Sequence, residues 1–223
     1  MTDILIADDH PLFRDALRQA VQTALPDALV HGADSVGALF AAIGQFPDAD
    51  LLLIDLHMPG AHGFSALAHI RGQFPGLPII VVSVHEEARV MQRALAYGAA
   101  AYIPKSAPAG EIVAAIRSVL NGDLWLPRDG HVAQAEPSAA EMEAAARVAT
   151  LTPHQFRVMT MLSEGMLNKQ IAFDLHVSEA TIKAHMTAIM RKLGVSNRTQ
   201  VALFARMLAV EQDAMPAVHD EAG

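Results

Sequence analysis

The sequence predicts an α/β fold, a doubly wound five-stranded parallel sheet, followed by a second, smaller all-α domain of four helices. Three observations carry this expectation. Residues 1–121 alternate short apolar runs with helix-length amphipathic segments, and the alternation occurs five times. Successive βα units pack as a parallel sheet with helices on both faces. From Leu151 onward the apolar spacing is helical throughout. The charge also changes sign, from net −6 over residues 1–125 to net +4 over residues 150–210.

Taken in order, strands are expected at 4–8, 28–33, 51–55, 78–83 and 101–104. Helices are expected at 11–24, 36–45, 64–73, 87–97 and 109–120. The nearly continuous apolar runs 51–54 and 79–82 suit strands buried on both sides. Pro11 fits the first turn of its helix and Gly98 a helix C-terminus. Residues 1–125 thus form the first domain, and Trp125, the only tryptophan, is a packing anchor at its end. Residues 126–149 form a linker. Its 126–130 and 135–138 portions are turn-like, and its Ala/Glu-rich part, 139–149, is a candidate helix spacing the two domains. In residues 150–210, Thr152-Pro153 reads as N-cap plus first helical position, and Ser178 heads another helix. The helices there are 153–163, 168–175, 179–193 and 198–209. Residues 211–223 read as a polar tail.

Composition removes several classes of function. The chain has no cysteine, which excludes disulfides, thiolate catalysis and Cys-ligated zinc. No apolar stretch approaches the ~18 residues of a membrane span, and the N-terminus holds Asp3, Asp8 and Asp9 where a secretion signal needs positive charge. A cytoplasmic protein without membrane association is expected. An acidic module joined to a basic one suggests that the basic part meets a polyanion.

Four of the expected strands end in polar groups. Asp8-Asp9 closes the first, Asp55 the third and Ser83 the fourth, while Lys105 follows the fifth. In an open parallel sheet, sites form at the carboxyl ends of the strands. Alone, an acidic pair is commonly solvated turn charge, and a lysine or serine at such a place is ordinary. Carboxylates, a hydroxyl and an amine at successive strand ends instead suit a divalent cation and a phosphoryl group.

Residues 3–125 resemble the receiver domains of two-component systems, a flavodoxin-like fold. Residues 150–208 resemble the LuxR-type helix-turn-helix domain of the NarL/FixJ response regulators. The motifs are Asp8-Asp9-His10-Pro11, Asp55-Leu56-His57-Met58-Pro59-Gly60, Ser83, and Tyr102-Ile103-Pro104-Lys105-Ser106. The resemblance implies that Asp55 accepts a phosphoryl group from a sensor histidine kinase. It implies a Mg²⁺ ion held by Asp8, Asp9, Asp55 and the backbone carbonyl of His57. Lys105 offsets charge on the transferring group, Ser83 donates to it, and Tyr102 is the switch aromatic. His57 and His85 lie two residues beyond Asp55 and Ser83, where they would border the water path to the phosphoryl group.

In the second domain, the stretches Asn168–Ala172, Val177–His185, Arg191–Val195 and Asn197–Gln200 carry the likeness. Ile171, Ala172, Leu175, Val177, Ile182, Met186, Ile189, Met190 and Leu193 form the apolar stripe between helices. Lys183, Ala184 and Thr187 face outward toward a major groove. Lys169, Thr181, His185, Arg191, Lys192 and Arg198 are the candidate phosphate contacts.

The implied protein is a non-enzymatic transcription regulator, homodimeric when phosphorylated, with promoter DNA as partner and RNA polymerase as a further candidate. Two alternatives stand beside it. One is a regulator of the same fold that acts without phosphorylation, against which the intact acidic set argues. The other is a Mg²⁺-dependent phosphatase of the haloacid-dehalogenase type, disfavoured because His57 stands where such enzymes place a general acid.

Overall fold

The computed structural model describes residues 2–61, 63–126 and 137–210. The turn-like linker portion 127–136 and the tail 211–223 lie outside the described residues. Five parallel strands, β1 (Asp3–Ala7), β2 (Leu29–Ala33), β3 (Leu51–Asp55), β4 (Ile79–Ser83) and β5 (Ala101–Pro104), pair in the order β2-β1-β3-β4-β5. They alternate with α1 (Pro11–Ala24), α2 (Val36–Gln45), α3 (Ser65–Gln73), α4 (Ala88–Ala96) and α5 (Ala109–Leu120). β3 and β4 are buried along their whole length, as their apolar runs require, and β2 forms a half-exposed edge. One apolar layer packs α1 and α5 against the sheet through Ile4, Ile6, Leu53, Val82 and Ile116. Trp125 packs at the edge of that layer, with its backbone N–H donating to Ala100 O at 3.1 Å.

The C-terminal elements are α6 (Ala139–Ala149), α7 (Pro153–Ser163), α8 (Asn168–Asp174), α9 (Glu179–Leu193) and α10 (Arg198–Arg206). Their starts are set by local chemistry. Ser138 and Thr152 head capping boxes with Glu141 and Gln155, and the side chains of Ser178 and Asn197 accept from N–H groups of the first turn. α9 ends at Gly194 in the left-handed region, φ +68.

Three expectations need correction. The helix expected at 139–149 is present as α6, but it lies against α3 rather than spanning a gap. α10 stops at Arg206 rather than 209, where the amides of Met207, Leu208 and Ala209 turn to the carbonyls three residues back, and the Leu208 carbonyl accepts the amide of Phe64 at 2.8 Å. Val177, assigned to the apolar stripe, is 41% exposed.

The two domains share one apolar cluster, in which Ile70 and Phe64 of the sheet domain join Ala144, Val148 and Phe156 of the helical domain. The backbones approach closely. A Cβ on Gly72 would stand 2.3 Å from the Cβ of Ala149, so only glycine permits this seating of α3 on α6. Gly63 adopts φ +54, and a Cβ there would meet the backbone N of Val210 at 2.4 Å. His69 is fully buried between the rings of Phe156, stacked at 4.6 Å, and Phe40, edge-on at 5.2 Å. Its Nδ1 lies 3.3 Å from Val148 O. Gln73 donates to Ala149 O at 2.8 Å. On α4, Arg93 pairs with Glu141 at 2.6 Å, reaches Met207 O at 3.4 Å and covers the ring of Phe64.

Candidate functional site

The parallel sheet brings the expected polar groups together at one edge. β1 and β3 are neighbours, so Asp8, just past β1, and Asp55, the last residue of β3, emerge side by side. Both are essentially buried, with exposures of 0% and 2%. Lys105, one residue beyond β5, reaches across β4 and places Nζ 2.8 Å from Asp8 Oδ2 and 2.8 Å from Asp55 Oδ2. Its backbone N–H donates to Ser83 O at 2.7 Å, which fixes the reach of its side chain. Burial works to lower the Lys105 pKa, and the hydrogen bonds to Asp55 and Asp8 overcome it, leaving the ammonium above its ordinary value.

Backbone amides hold the carboxylates in place. The His10 N–H donates to Asp8 Oδ1 at 2.8 Å and the His57 N–H to Asp55 Oδ1 at 3.1 Å. Asp9, partly exposed, meets His10 Nδ1 at 2.8 Å. One potential ligand atom from each of Asp8, Asp9, His10 and Asp55 falls within 4.8 Å of the others. Three carboxylates at this spacing are the hard oxygen donors that a small divalent cation takes.

Ser83 is fully buried at the end of β4, and its hydroxyl oxygen lies 3.4 Å from the amide of His85. Tyr102 is also fully buried and donates through its hydroxyl to His85 O at 2.8 Å. Burial pushes its phenol well above the ordinary range. The loop after β4 is therefore held between Ser83 and Tyr102. The rings of His57 and His85 lie 4.9 Å apart, so the two expected loop histidines do converge beside Asp55. Burial lowers the His57 pKa more than the Asp55 charge raises it, and the ring Nδ1 of His57 is buried without a partner among the described residues. Beside this group, Leu12 and Val84 are 88% and 62% exposed, and with Phe13 and Lys105 they line a mostly apolar hollow.

On the helical domain, Lys183, Ala184 and Thr187 are exposed along one side of α9, and Lys169 and Arg191 are exposed with them. Thr181 is half-buried, its hydroxyl 2.9 Å from Ser178 Oγ. His185 is half-buried, and its ring lies parallel to that of His154 at 6.5 Å. Two candidate phosphate contacts have internal partners. Lys192 Nζ donates to Thr150 O at 2.7 Å and Gln155 Oε1 at 2.8 Å. Arg198 donates to Asn168 Oδ1 and Met166 O. These two cations tie helices together. Sequence reasoning missed Arg93, His69, Gly63 and Arg206 at the domain boundary. Its one usable signal was the stretch 64–70, a helix start with no continuous polar face and buried throughout.

The comparisons with known proteins agree with this geometry. Residues 4–117 match the response regulator receiver domain, and residues 149–205 match the LuxR family of bacterial regulatory proteins. The glycerol metabolism activator of Pseudomonas putida is 39% identical over 213 residues, covering 92% of this chain and 95% of that protein. The nitrate/nitrite response regulator NarL of Escherichia coli K12 is 30% identical over 202 residues, covering 90% and 93%. Among solved structures, RcsB of Salmonella typhimurium superimposes with a TM-score of 0.54 at 24% identity, covering 92% and 98%, a likeness of fold. Among the described residues no helix is long and apolar enough to cross a membrane. With a receiver sheet carrying its acidic cluster and a LuxR-type helical domain on one chain, the protein belongs to the response regulators and is a DNA-binding transcription regulator of a two-component system.

Proposed function

We propose that Asp55 is the phosphoacceptor, and that its phosphorylation by a sensor histidine kinase undocks the helical domain so that it pairs on promoter DNA. The observation that carries this reading is Lys105 bridging Asp8 and Asp55 at 2.8 Å each, at the joint carboxyl end of the sheet.

A carboxylate oxygen of Asp55 attacks the phosphorus of the kinase phosphohistidine, and the imidazole leaves with the bonding pair. Asp8, Asp9, Asp55 and the carbonyl of His57 would hold Mg²⁺. Such an ion neutralises charge on the phosphoryl oxygens. Lys105 then exchanges its carboxylate partner for a phosphoryl oxygen. Ser83 donates its hydroxyl to another, drawing in the loop whose far end is held by Tyr102. His57 and His85 flank the same opening and would set how readily water reaches the acyl phosphate. The exposed Leu12, Phe13 and Val84 patch beside Lys105 suits an apolar helical surface of the kinase. Nothing in this set supplies a dedicated general acid at position 57, which favours a retained phosphoryl group over steady turnover.

Output passes through the docking contacts. The loop after Asp55 is hydrogen-bonded to the end of α10 through Phe64 and Leu208, so rearrangement around a phosphoryl group strains that joint directly. Arg93 of α4 contributes to the docked surface, and α3 seats directly against α6. The groove-facing side of α9 stays exposed in the docked form. Lys183, Thr187, Lys169 and Arg191 are proposed as its DNA contacts, with so few cations that two copies on paired half-sites are expected. The reading places the protein in the cytoplasm, with RNA polymerase a further partner. Incubating the full chain with a phosphodonor and Mg²⁺, then measuring oligomeric state and DNA affinity, tests it. Phosphorylation that leaves both unchanged contradicts it.

A further inference from the structure

The acidic group at the strand ends has a fourth member, His10. This residue stands at the N-cap of α1, yet its side chain makes no capping hydrogen bond. Its backbone N–H is anchored to Asp8 Oδ1 at 2.8 Å, and its ring turns back toward the carboxylates. The ring Nδ1 lies 2.8 Å from Asp9 Oδ1 and 3.5 Å from Asp8 Oδ1. That Asp9 oxygen is covered and meets no other donor among the described residues. One donor atom from each of Asp8, Asp9, His10 and Asp55 falls within 4.8 Å of the others. The two other histidines at this opening are placed differently. His85 Nδ1 faces Glu87 Oε2 at 3.4 Å, and His57 lies outside the group of four.

Neighbouring donors around one small cation, each about 2.1 Å from it, stand roughly 3–3.5 Å apart. The distances from His10 Nδ1 to Asp8 and Asp9 fall close to that spacing. Three carboxylates against the single ammonium of Lys105 leave the position net negative. The donors also decide which cation gains from the ring. Mg²⁺ takes oxygen and keeps its waters, so an imidazole adds little to its binding. Zinc, nickel and cobalt take imidazole nitrogen readily. A neutral ring with its proton on Nε2 offers the Nδ1 lone pair to such an ion.

We infer that His10 is a nitrogen ligand of this site, raising its affinity for divalent metals of the zinc, nickel and cobalt class while leaving Mg²⁺ affinity as the carboxylates set it. The inference rests on the reading that Asp8, Asp9 and Asp55 hold a divalent cation, and it requires no phosphoryl transfer. The ring is 66% exposed, which leaves it room to exchange its contact with Asp9 for the metal. The chain thereby carries a mixed nitrogen and oxygen site where three carboxylates alone would make an all-oxygen one.

The test titrates the full chain with Co²⁺, whose unpaired electrons shift the proton resonances of a bound imidazole, and in parallel with Mg²⁺. Asparagine is a good N-cap, so His10→Asn should keep α1 and fold. Co²⁺-loaded wild type should show a strongly shifted, exchangeable ring N–H resonance. That resonance should vanish in His10→Asn and persist in His57→Asn and His85→Asn. Co²⁺ affinity should fall by about tenfold or more in His10→Asn, since even the loss of a ligand's outer partner costs that much. Mg²⁺ affinity should stay at its wild-type value. Retention of every shifted resonance in His10→Asn, loss of the resonance in either other variant, or an equal fall in affinity for both metals overturns the inference. Failure of wild type to bind either ion, or unchanged binding of both in Asp8→Asn, would instead overturn the cation reading beneath it, so the two failures are distinct.

Discussion

The amide of Phe64 donates to the carbonyl of Leu208 at 2.8 Å, joining the loop that leaves Asp55 to the end of the last helix. Backbone, rather than a long side chain, makes this link, and Gly63 beside it allows the approach. A shift in that loop is therefore felt in the helical domain without passing through intermediate elements. The docked surface can be broken at several points by substitutions that leave the sheet intact.

Arg93 is the first. It is largely covered and carries an ion pair to Glu141, a contact to Met207 O and the face of Phe64. Arg93→Ala should weaken docking by about 1–3 kcal/mol. Without any phosphorylation, α6 should gain faster amide exchange and the scattering radius should rise. The exchanged pair Arg93→Glu/Glu141→Arg should restore part of the loss. An unchanged exchange pattern in the single variant would discount Arg93 as a docking contact.

Gly72 tests the close approach of helices. Gly72→Val places side-chain carbon into Ala149 and should open the domains. Because the residue lies on the outer side of α3, the receiver core should keep its own unfolding transition. A single, equally cooperative transition at the wild-type temperature would contradict this packing.

His69 should make docking sensitive to acid. Burial pushes its pKa from 6.5 to about 4, so the docked form accepts only the neutral ring. Undocking returns the ring to water and its ordinary value. Docking is then at full strength above pH 6.5 and weakens progressively from there toward pH 4, by up to about 3 kcal/mol. A scattering titration of wild type beside His69→Gln should show this component only in wild type. Equal acid responses in both would place it elsewhere.

Lys105 keeps two buried carboxylates compatible. Lys105→Met leaves Asp8 and Asp55 facing each other without their cation, which should cost about 3 kcal/mol of receiver stability at neutral pH. Mg²⁺ should then stabilise the variant against urea more than it stabilises wild type. Equal Mg²⁺ effects on the two proteins would count against cation binding by these carboxylates.

Cations of the helical domain should divide in their response to salt. Lys183→Ala should lower DNA affinity and reduce the salt slope by about 1. Lys192→Ala removes bonds to Thr150 and Gln155, so its main effect should be on the unfolding of the helical domain. Reversed effects would mean that the internal contacts of Lys192 are given up on DNA.

Much of the fold and of the receiver cluster was legible because the relevant signals are local. Runs such as Leu51–Ile54 announce buried strands, and a parallel sheet gathers whatever ends them. Helix starts at Thr152 and Ser178 follow from side chains within one turn. The internal partners of Lys192 and Arg198 were not legible for the opposite reason, since the carbonyls they bind at Thr150 and Met166 are distant in sequence. The docked surface was hidden in the same way. His69 and Gly72 are unremarkable in a helix until another helix lies on them, and only the missing polar side of residues 64–70 hinted at a cover.

The most direct measurement is intact mass after incubation with acetyl phosphate and Mg²⁺, wild type beside Asp55→Asn. One added phosphoryl group on wild type and none on the variant is the predicted result. Equal uptake by both proteins, or none by the wild type from acetyl phosphate or a phosphorylated kinase, would contradict the assignment of Asp55 as the acceptor.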